Sequence, residues 1–191
     1  MVPFEAMTIR VRSATPADAD AIAAIYRPFV VDNAISFETE PPDATEIADR
    51  IARITRTHPW LVAVDDADDD RVLGYAYGTV FRTRAAYRHT VETAIYLHPE
   101  ARGTGVADTL GEALHDDLRS RDFRTAIAVI TLPNPASVVY HERLGYEHAG
   151  VLPNVGLKFK AWHDVGLWTL DLVSGSPRRT QRSTEGHGGF V

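Results

Sequence analysis

Thr90-Val91-Glu92-Thr93-Ala94-Ile95-Tyr96-Leu97 reads as a strand of β-branched and aromatic residues, and a short connection later Arg102-Gly103-Thr104-Gly105-Val106-Ala107 opens a helix. That helix runs to about Ser120 and gathers Val106, Leu110, Ala113, Leu114 and Leu118 on one face, the spacing of a 3.6-residue turn. Strand, glycine-rich turn and helix in this order leave bare backbone N–H groups at a helix N-terminus, where the helix dipole favours an anion. Gly103 and Gly105 let a phosphate come close to the main chain, and Arg102 adds a charge-assisted partner. Neither Gly-x-x-x-x-Gly-Lys-Ser/Thr nor Gly-x-Gly-x-x-Gly occurs, so readings as an ATP or dinucleotide site lose their main support.

The pattern continues on both sides of this unit. Thr8 to Arg12 alternates as a first strand, and Thr15-Pro16 with Asp18 behind it starts a helix whose apolar face is Ile22, Ile25, Tyr26 and Phe29. A second helix, about Thr45 to Arg56, puts Ile47, Ile51 and Ile54 on one side and stops at His58-Pro59. Trp60 to Val64 and Val72 to Phe81 form a hairpin around the acidic tip Asp65 to Asp70. Downstream, Thr125 to Leu132 is a buried strand, Pro135 to Leu144 a short helix, and Lys158 to Leu172 one long alternating strand. The sum is an α+β domain of α/β/α layers, a mixed and mostly antiparallel sheet with about four helices, spanning 8–172. Residues 1–7 read as an extension without periodic pattern, and 173–191 as a disordered tail rich in Gly, Ser, Thr and Arg.

One domain fits the 191 residues, and 45% hydrophobic content suffices to cover a sheet with helices. A net charge of -6 gives no global reason to bind nucleic acid or an anionic membrane. The absence of cysteine excludes disulfides, thiolate metal sites and cysteine nucleophiles. With no signal-like start and no apolar run of about 20 residues, the cytoplasm is the expected location. The histidines His58, His89, His98, His115, His148, His163 and His187 form no i, i+4 pair, so no metal is expected.

An acid inside an apolar strand stands out. If Glu92 faces a cleft it can take a proton from an ammonium that must become neutral before attacking a carbonyl; if it faces water it pairs with Arg82 or Arg88. Alternation alone does not choose the face. Asp164 and Glu147 are weaker candidates of the same kind.

The segment Asn134-Pro135-Ala136-Ser137-Val138-Val139-Tyr140-His141-Glu142-Arg143-Leu144-Gly145-Tyr146 is the most specific stretch. Together with the Arg102 to Ala107 turn it resembles the acetyl-CoA site of the GNAT acetyltransferases, a likeness that covers Ile9 to about Leu172. Phe37-Glu38-Thr39-Glu40, Tyr87, Thr90-Val91-Glu92, a histidine at 141 where a tyrosine is common, and Trp162-His163-Asp164-Val165-Gly166-Leu167-Trp168 are similar to the branch that acetylates phosphinothricin and methionine sulfoximine. Lys160-Ala161 stand where that branch often has a glycine and a polar residue.

The resemblance implies the GNAT acyl-CoA N-acyltransferase fold, acetyl-CoA as co-substrate, a small amine as acceptor and a homodimer. It implies that the CoA pyrophosphate sits on Arg102, Gly103, Thr104, Gly105, Val106 and Ala107 and that Asn134 holds the pantetheine arm. Ile95, Tyr96 and Leu97 flank the thioester, with a backbone N–H near Ile95 as oxyanion donor. Glu92 and His141 are the catalytic pair it implies, and Phe37, Tyr77, Arg82, Arg84 and Tyr87 the acceptor lining. The expected reaction is direct transfer in a ternary complex. Its rivals are acetylation of a protein or peptide N-terminus, which needs an open groove, and a silent acyl-CoA-binding module, which needs neither Glu92 nor His141. Trp162 and Trp168 read as packing or interface residues.

Overall fold

A computed structural model describes residues 8–173. The expected extension 1–7 and the expected tail from residue 174 onward lie outside the described residues. A seven-stranded sheet runs in the order β1-β2-β3-β4-β5-β7-β6, formed by β1 (Ile9–Ser13), β2 (Trp60–Asp65), β3 (Arg71–Val80), β4 (Thr90–Leu97), β5 (Thr125–Leu132), β6 (Glu147–Lys158) and β7 (Ala161–Asp171). β4 and β5 are parallel, whereas the other neighbours are antiparallel. Helices α1 (Ala19–Val31) and α2 (Ala44–Ile54) cover one face; α3 (Val106–Ser120) and α4 (Pro135–Arg143) lie on the other.

Burial on both faces explains why β2 shows no polar alternation. Trp60, Val62 and Val64 join Ile22, Ile25, Val30, Ile47 and Ile51 beneath α1 and α2. Leu61 and Ala63 turn the other way to meet Leu110, Leu114 and Leu118 of α3. Arg10 offsets part of the charge of the acidic hairpin tip, reaching Asp66 and Asp70 at 2.7 Å each.

The C-terminal part corrects the sequence reading. The strand expected from Lys158 to Leu172 is β7 (Ala161–Asp171), but its hairpin partner was missed: β6 runs over Glu147–Lys158, and Phe159 and Lys160 turn the chain into β7. Both turn residues have positive φ, +50° and +63°, the backbone of a two-residue hairpin loop that favours Asn and Gly. Lys160 thus occupies the left-handed conformation that glycine adopts most readily. β6 itself escapes alternation because its register shifts twice, between His148 and Gly150 and between Leu152 and Gly156. Its edge position tolerates Pro153.

Candidate active site

The parallel pairing of β4 with β5 covers Thr90↔Thr125 to Thr93↔Ala128 and then stops. Beyond it the strands part, and Ala94, Ile95 and Tyr96 face Ala128, Val129, Ile130 and Thr131 across an opening. The direction of the main chain there follows from the register with β3. His98 N–H donates to Leu73 O at 2.8 Å, so in an antiparallel ladder the alternate residues Tyr96 and Ala94 also point their N–H groups to β3. The N–H groups of Ile95 and Leu97 therefore point the other way, into the opening.

From this opening a groove of about 420 Å³ runs to the start of α3. Ile95, Tyr96, Leu97, Arg102, Gly103, Ala107 and Asn134 line it, which unites seven of the residues expected around the co-substrate. Gly103 (φ +76°) and Gly105 (φ +90°) adopt backbone that side chains avoid, and a Cβ built on either meets nothing within 4 Å. Open space above a turn whose N–H groups precede the first helical bond, Thr109 N–H to Gly105 O, fits a diphosphate. Val106 is fully buried in the core, so only its main chain faces this end, and Thr104 bonds back to Ala101 O. Asp108 in the first turn of α3 would repel a phosphate, but Arg143 of α4 pairs with it at 2.5 Å. Asn134 caps α4 by accepting from Ser137 N–H at 3.2 Å, which leaves its amide N–H groups to the groove. The sequence reading missed Phe29, Ser137, Tyr140 and Arg143 as wall residues. The Ser137 to His141 spacing of one helical turn was a readable signal for Ser137.

Glu92 and His141 lie on opposite faces of the sheet at this opening. Val91 packs against α3, whereas Tyr96 stacks edge-on with Tyr26 and Phe29 of α1, so Glu92, in phase with Tyr96, faces the α1 and α2 side. There it is half-buried and makes neither an ion pair nor a hydrogen bond among the described residues. Burial raises its pKa above the ordinary 4.5. His141 is buried in α4 and lines the opening from the α3 side. Its Nδ1 lies 2.8 Å from Ser137 O; a carbonyl only accepts, so Nδ1 carries the proton and Nε2 keeps a lone pair. Burial lowers the pKa of His141 below 6.5, against an opposing contribution from Ser137 O, and the ring is neutral at pH 7.

The expected acceptor residues are less unified. Tyr77 is stacked on Trp60 at 4.5 Å and lines a cavity of about 340 Å³ beneath α2 together with Tyr26, Glu38, Arg50 and Thr79. This cavity reaches the catalytic end through Thr79, which pairs with Glu92. Phe37 lies across β6 at Gly156, where a Cβ would come within 2.1 Å of its ring. Its segment is strapped over the sheet: Lys158 Nζ donates to Ser36 O at 2.5 Å, and Tyr26 Oη and Ser36 Oγ lie 2.6 Å apart. Arg82 and Arg84 are exposed on the connection between β3 and β4, and Tyr87 packs edge-on against Phe81 at 5.8 Å; none of these three lines a described cavity. Asp164 is committed to Asn154 N–H at 2.8 Å in β6. Among the described residues no group of His, Asp and Glu is arranged to hold a metal ion, and no helix is long and apolar enough to cross a membrane.

A sheet that opens between two parallel strands, with a phosphate-sized turn at one end of the gap and an unpaired carboxylate at the other, belongs to an acyl-CoA-type N-acyltransferase. The chain is a member of the GNAT acetyltransferase family: the profile of the acetyltransferase (GNAT) domain matches residues 11–167. It is 35% identical over 178 residues to the phosphinothricin N-acetyltransferase of Streptomyces viridochromogenes, covering 93% of this chain and 96% of that one. To the L-methionine sulfoximine/L-methionine sulfone acetyltransferase of Pseudomonas aeruginosa PAO1 it is 36% identical over 170 residues, covering 87% and 96%. The crystal structure of a phosphinothricin acetyltransferase from Sinorhizobium meliloti in complex with acetyl-CoA aligns with a TM-score of 0.81 at 38% identity, covering 86% of this chain and 89% of that one. The fold and the enzyme class expected from the sequence are thereby borne out.

Proposed function

We propose that this N-acetyltransferase moves the acetyl group of acetyl-CoA to the primary amine of a small amino-acid-like acceptor, of the phosphinothricin or methionine sulfoximine and sulfone kind, by direct attack in a ternary complex. The observation that carries this reading is the unpaired, half-buried Glu92 beside an opening into which the Ile95 N–H points. Glu92 takes one proton from the acceptor ammonium, and the freed amine attacks the thioester carbonyl. The Ile95 N–H holds the carbonyl oxygen as charge develops on it. His141 Nε2 takes the second N–H proton and hands it to the departing sulfur as the C–S bond breaks, giving the amide and a free thiol. No covalent acetyl-enzyme is required. Tyr77, in the cavity that reaches Glu92 through Thr79, forms the wall behind it, and Phe37 and Tyr87 complete the acceptor lining in this proposal. Arg82 and Arg84, exposed just before Thr90, take the carboxylate or phosphinate of the acceptor through paired N–H donors.

The test is thiol release from acetyl-CoA against phosphinothricin, methionine sulfoximine, methionine sulfone, ordinary amino acids and short peptides. Turnover with one of the free amino acids and none with peptides is the expected outcome. Peptide turnover supports the rival N-terminal acetyltransferase, and acetyl-CoA binding without thiol release across the whole panel supports the silent module.

On the donor side, Gly105→Val forces a β-branched residue into φ +90° and fills the space above the turn. Losing a charge-assisted phosphate contact weakens acetyl-CoA binding by roughly 10- to 30-fold. Calorimetry on the folded variant checks it; unchanged affinity removes the phosphate role of this turn.

The homodimer belongs to the same proposal. Leu152, Val155, Leu157, Phe159 and Trp162 expose 45 to 61% of their surface on the β6–β7 hairpin. A continuous apolar edge of this kind on a terminal strand pair favours pairing with a second copy. Sedimentation velocity is expected to give a dimer that Leu157→Asp with Trp162→Asp converts to monomer. A wild-type monomer at all concentrations overturns it. The cysteine-free sequence is in keeping with a cytoplasmic enzyme.

A further inference from the structure

A buried chain of hydrogen bonds runs behind the opening and is used by none of the steps above. Thr93, His115, His141 and Tyr146 are 7%, 5%, 7% and 4% exposed. Thr93 Oγ1 lies 3.3 Å from Ile127 O and 3.1 Å from Tyr146 Oη, and Tyr146 Oη lies 3.1 Å from His115 Nε2. The carbonyl fixes the direction of the whole chain, because it has no proton to give. Thr93 donates to Ile127 O, Tyr146 donates to Thr93, and His115 Nε2–H donates to Tyr146. Every hydroxyl then both gives and receives once, and His115 is neutral with its proton on Nε2. Burial, followed by Arg119 and His141, lowers its pKa to about 4, with Asp116 opposing.

Two members of this chain, Thr93 and Tyr146, touch something the reaction needs. Thr93 occupies the last paired position of β4 with β5, at the apex where the strands part. Tyr146 stands edge-on to the His141 imidazole at 5.1 Å and 89°, and Tyr140 flanks the same ring at 5.0 Å and 81°. The imidazole is therefore held by Ser137 O at Nδ1 and by two tyrosine rings. The hydroxyl of one of these tyrosines is itself tied to the strand apex and to His115. A continuous hydrogen-bonded chain in a low-dielectric core is stiff, and deleting a donor leaves its buried acceptor short of a partner.

We infer that His115, acting through Tyr146, is a positioning residue of this enzyme: it fixes the His141 ring and the apex of the β4–β5 opening in register with each other. The inference rests on the catalytic role proposed for His141. Sequence patterning hides it, because His115 falls on the buried face of α3 among leucines and reads as a satisfied core histidine.

His115→Leu, His115→Gln and His141→Ala, compared by steady-state kinetics over pH and by melting temperature, test it. The glutamine amide N–H reaches the place of imidazole Nε2–H, whereas leucine keeps bulk and loses the donor. His115→Leu is expected to lower kcat about tenfold with the KM for acetyl-CoA unchanged, since a small misplacement of a reacting group acts on the rate. Loosening of the clamp around His141 by Tyr146, Tyr140, Ser137 and His115 admits water and moves the acid limb of kcat toward 6.5. His115→Gln is expected to restore most of the rate and the limb. Equal losses in both variants, or a wild-type kcat and limb in His115→Leu beside a lowered melting temperature, mean that the chain serves the fold alone and overturn the inference. Full activity in His141→Ala overturns instead the catalytic reading on which the inference stands.

Discussion

Glu92→Gln is expected to lower kcat about 10³-fold, within the range general-base catalysis supplies, while the KM for acetyl-CoA stays near that of the wild type. The substitution keeps shape and hydrogen-bonding length but removes the group that neutralises the ammonium. Among the described residues the neighbouring carboxylate on that face, Glu38, is committed to Arg50 at 2.7 Å and to Tyr26 Oη at 3.0 Å. The effect has a pH signature. Burial lifts the Glu92 pKa above 4.5 and lowers that of His141 below 6.5, and both groups act unprotonated. Activity must then rise with pH on the acid side, the Glu92 contribution lying above 4.5 and the His141 contribution below 6.5. In Glu92→Gln the carboxylate's share of the limb disappears, leaving residual turnover that climbs with pH as free amine becomes available without a base. Thiol-release assays from pH 4 upward read both effects. An unchanged kcat and limb sink the assignment of Glu92.

The unit that decides the fold was legible because three local rules agree on it. Thr90 to Leu97 has strand propensity on both faces, the two glycines mark the turn, and the α3 apolar stripe keeps one period to Ser120. β6 was not legible, for equally physical reasons. Two register shifts break its period, Pro153 and three other turn formers sit inside it, and its hairpin turn uses Phe159 and Lys160 in a conformation that neither residue advertises. Strand pairing overrides local preference there, since β7 lies between β6 and β5 and holds it in place.

The candidate site divides along the same line. Its donor half rests on short-range signals, a glycine turn and a helix cap at Asn134, and these are written contiguously in the chain. Its acceptor half is assembled from α2, β3, the segment 35–38 and the connection between β3 and β4, so no single stretch announces it. Arg82 and Arg84 carry the right chemistry but stand outside the described cavities, while Arg50, which lines one, is occupied by Glu38 and Glu46. The face of Glu92 was undecidable from alternation and is decided by Val91 and Tyr96 on either side of the strand.

His141→Ala is expected to lower kcat about 10²-fold, less than Glu92→Gln, because a thiolate leaves with only modest help. The structure fixes what the ring can do: Nδ1–H is spent on Ser137 O, and Nε2 presents a lone pair toward the opening lined by Thr93, Ala94 and Ile95. A neutral imidazole in that tautomer accepts first and donates second, which is the order a proton must take from the attacking nitrogen to the departing sulfur. Three observables separate this from simple loss of packing. The rate of the alanine variant should depend more steeply on the acidity of the leaving thiol than that of the wild type, since the sulfur must then depart unaided. The histidine's share of the acid limb should also vanish while that of Glu92 persists above 4.5. Added imidazole, small enough to enter the space left by the ring, is expected to recover part of the rate in proportion to its neutral fraction. A variant whose kcat, leaving-group dependence and acid limb all match the wild type would remove His141 from the reaction and leave Glu92 to act with solvent alone.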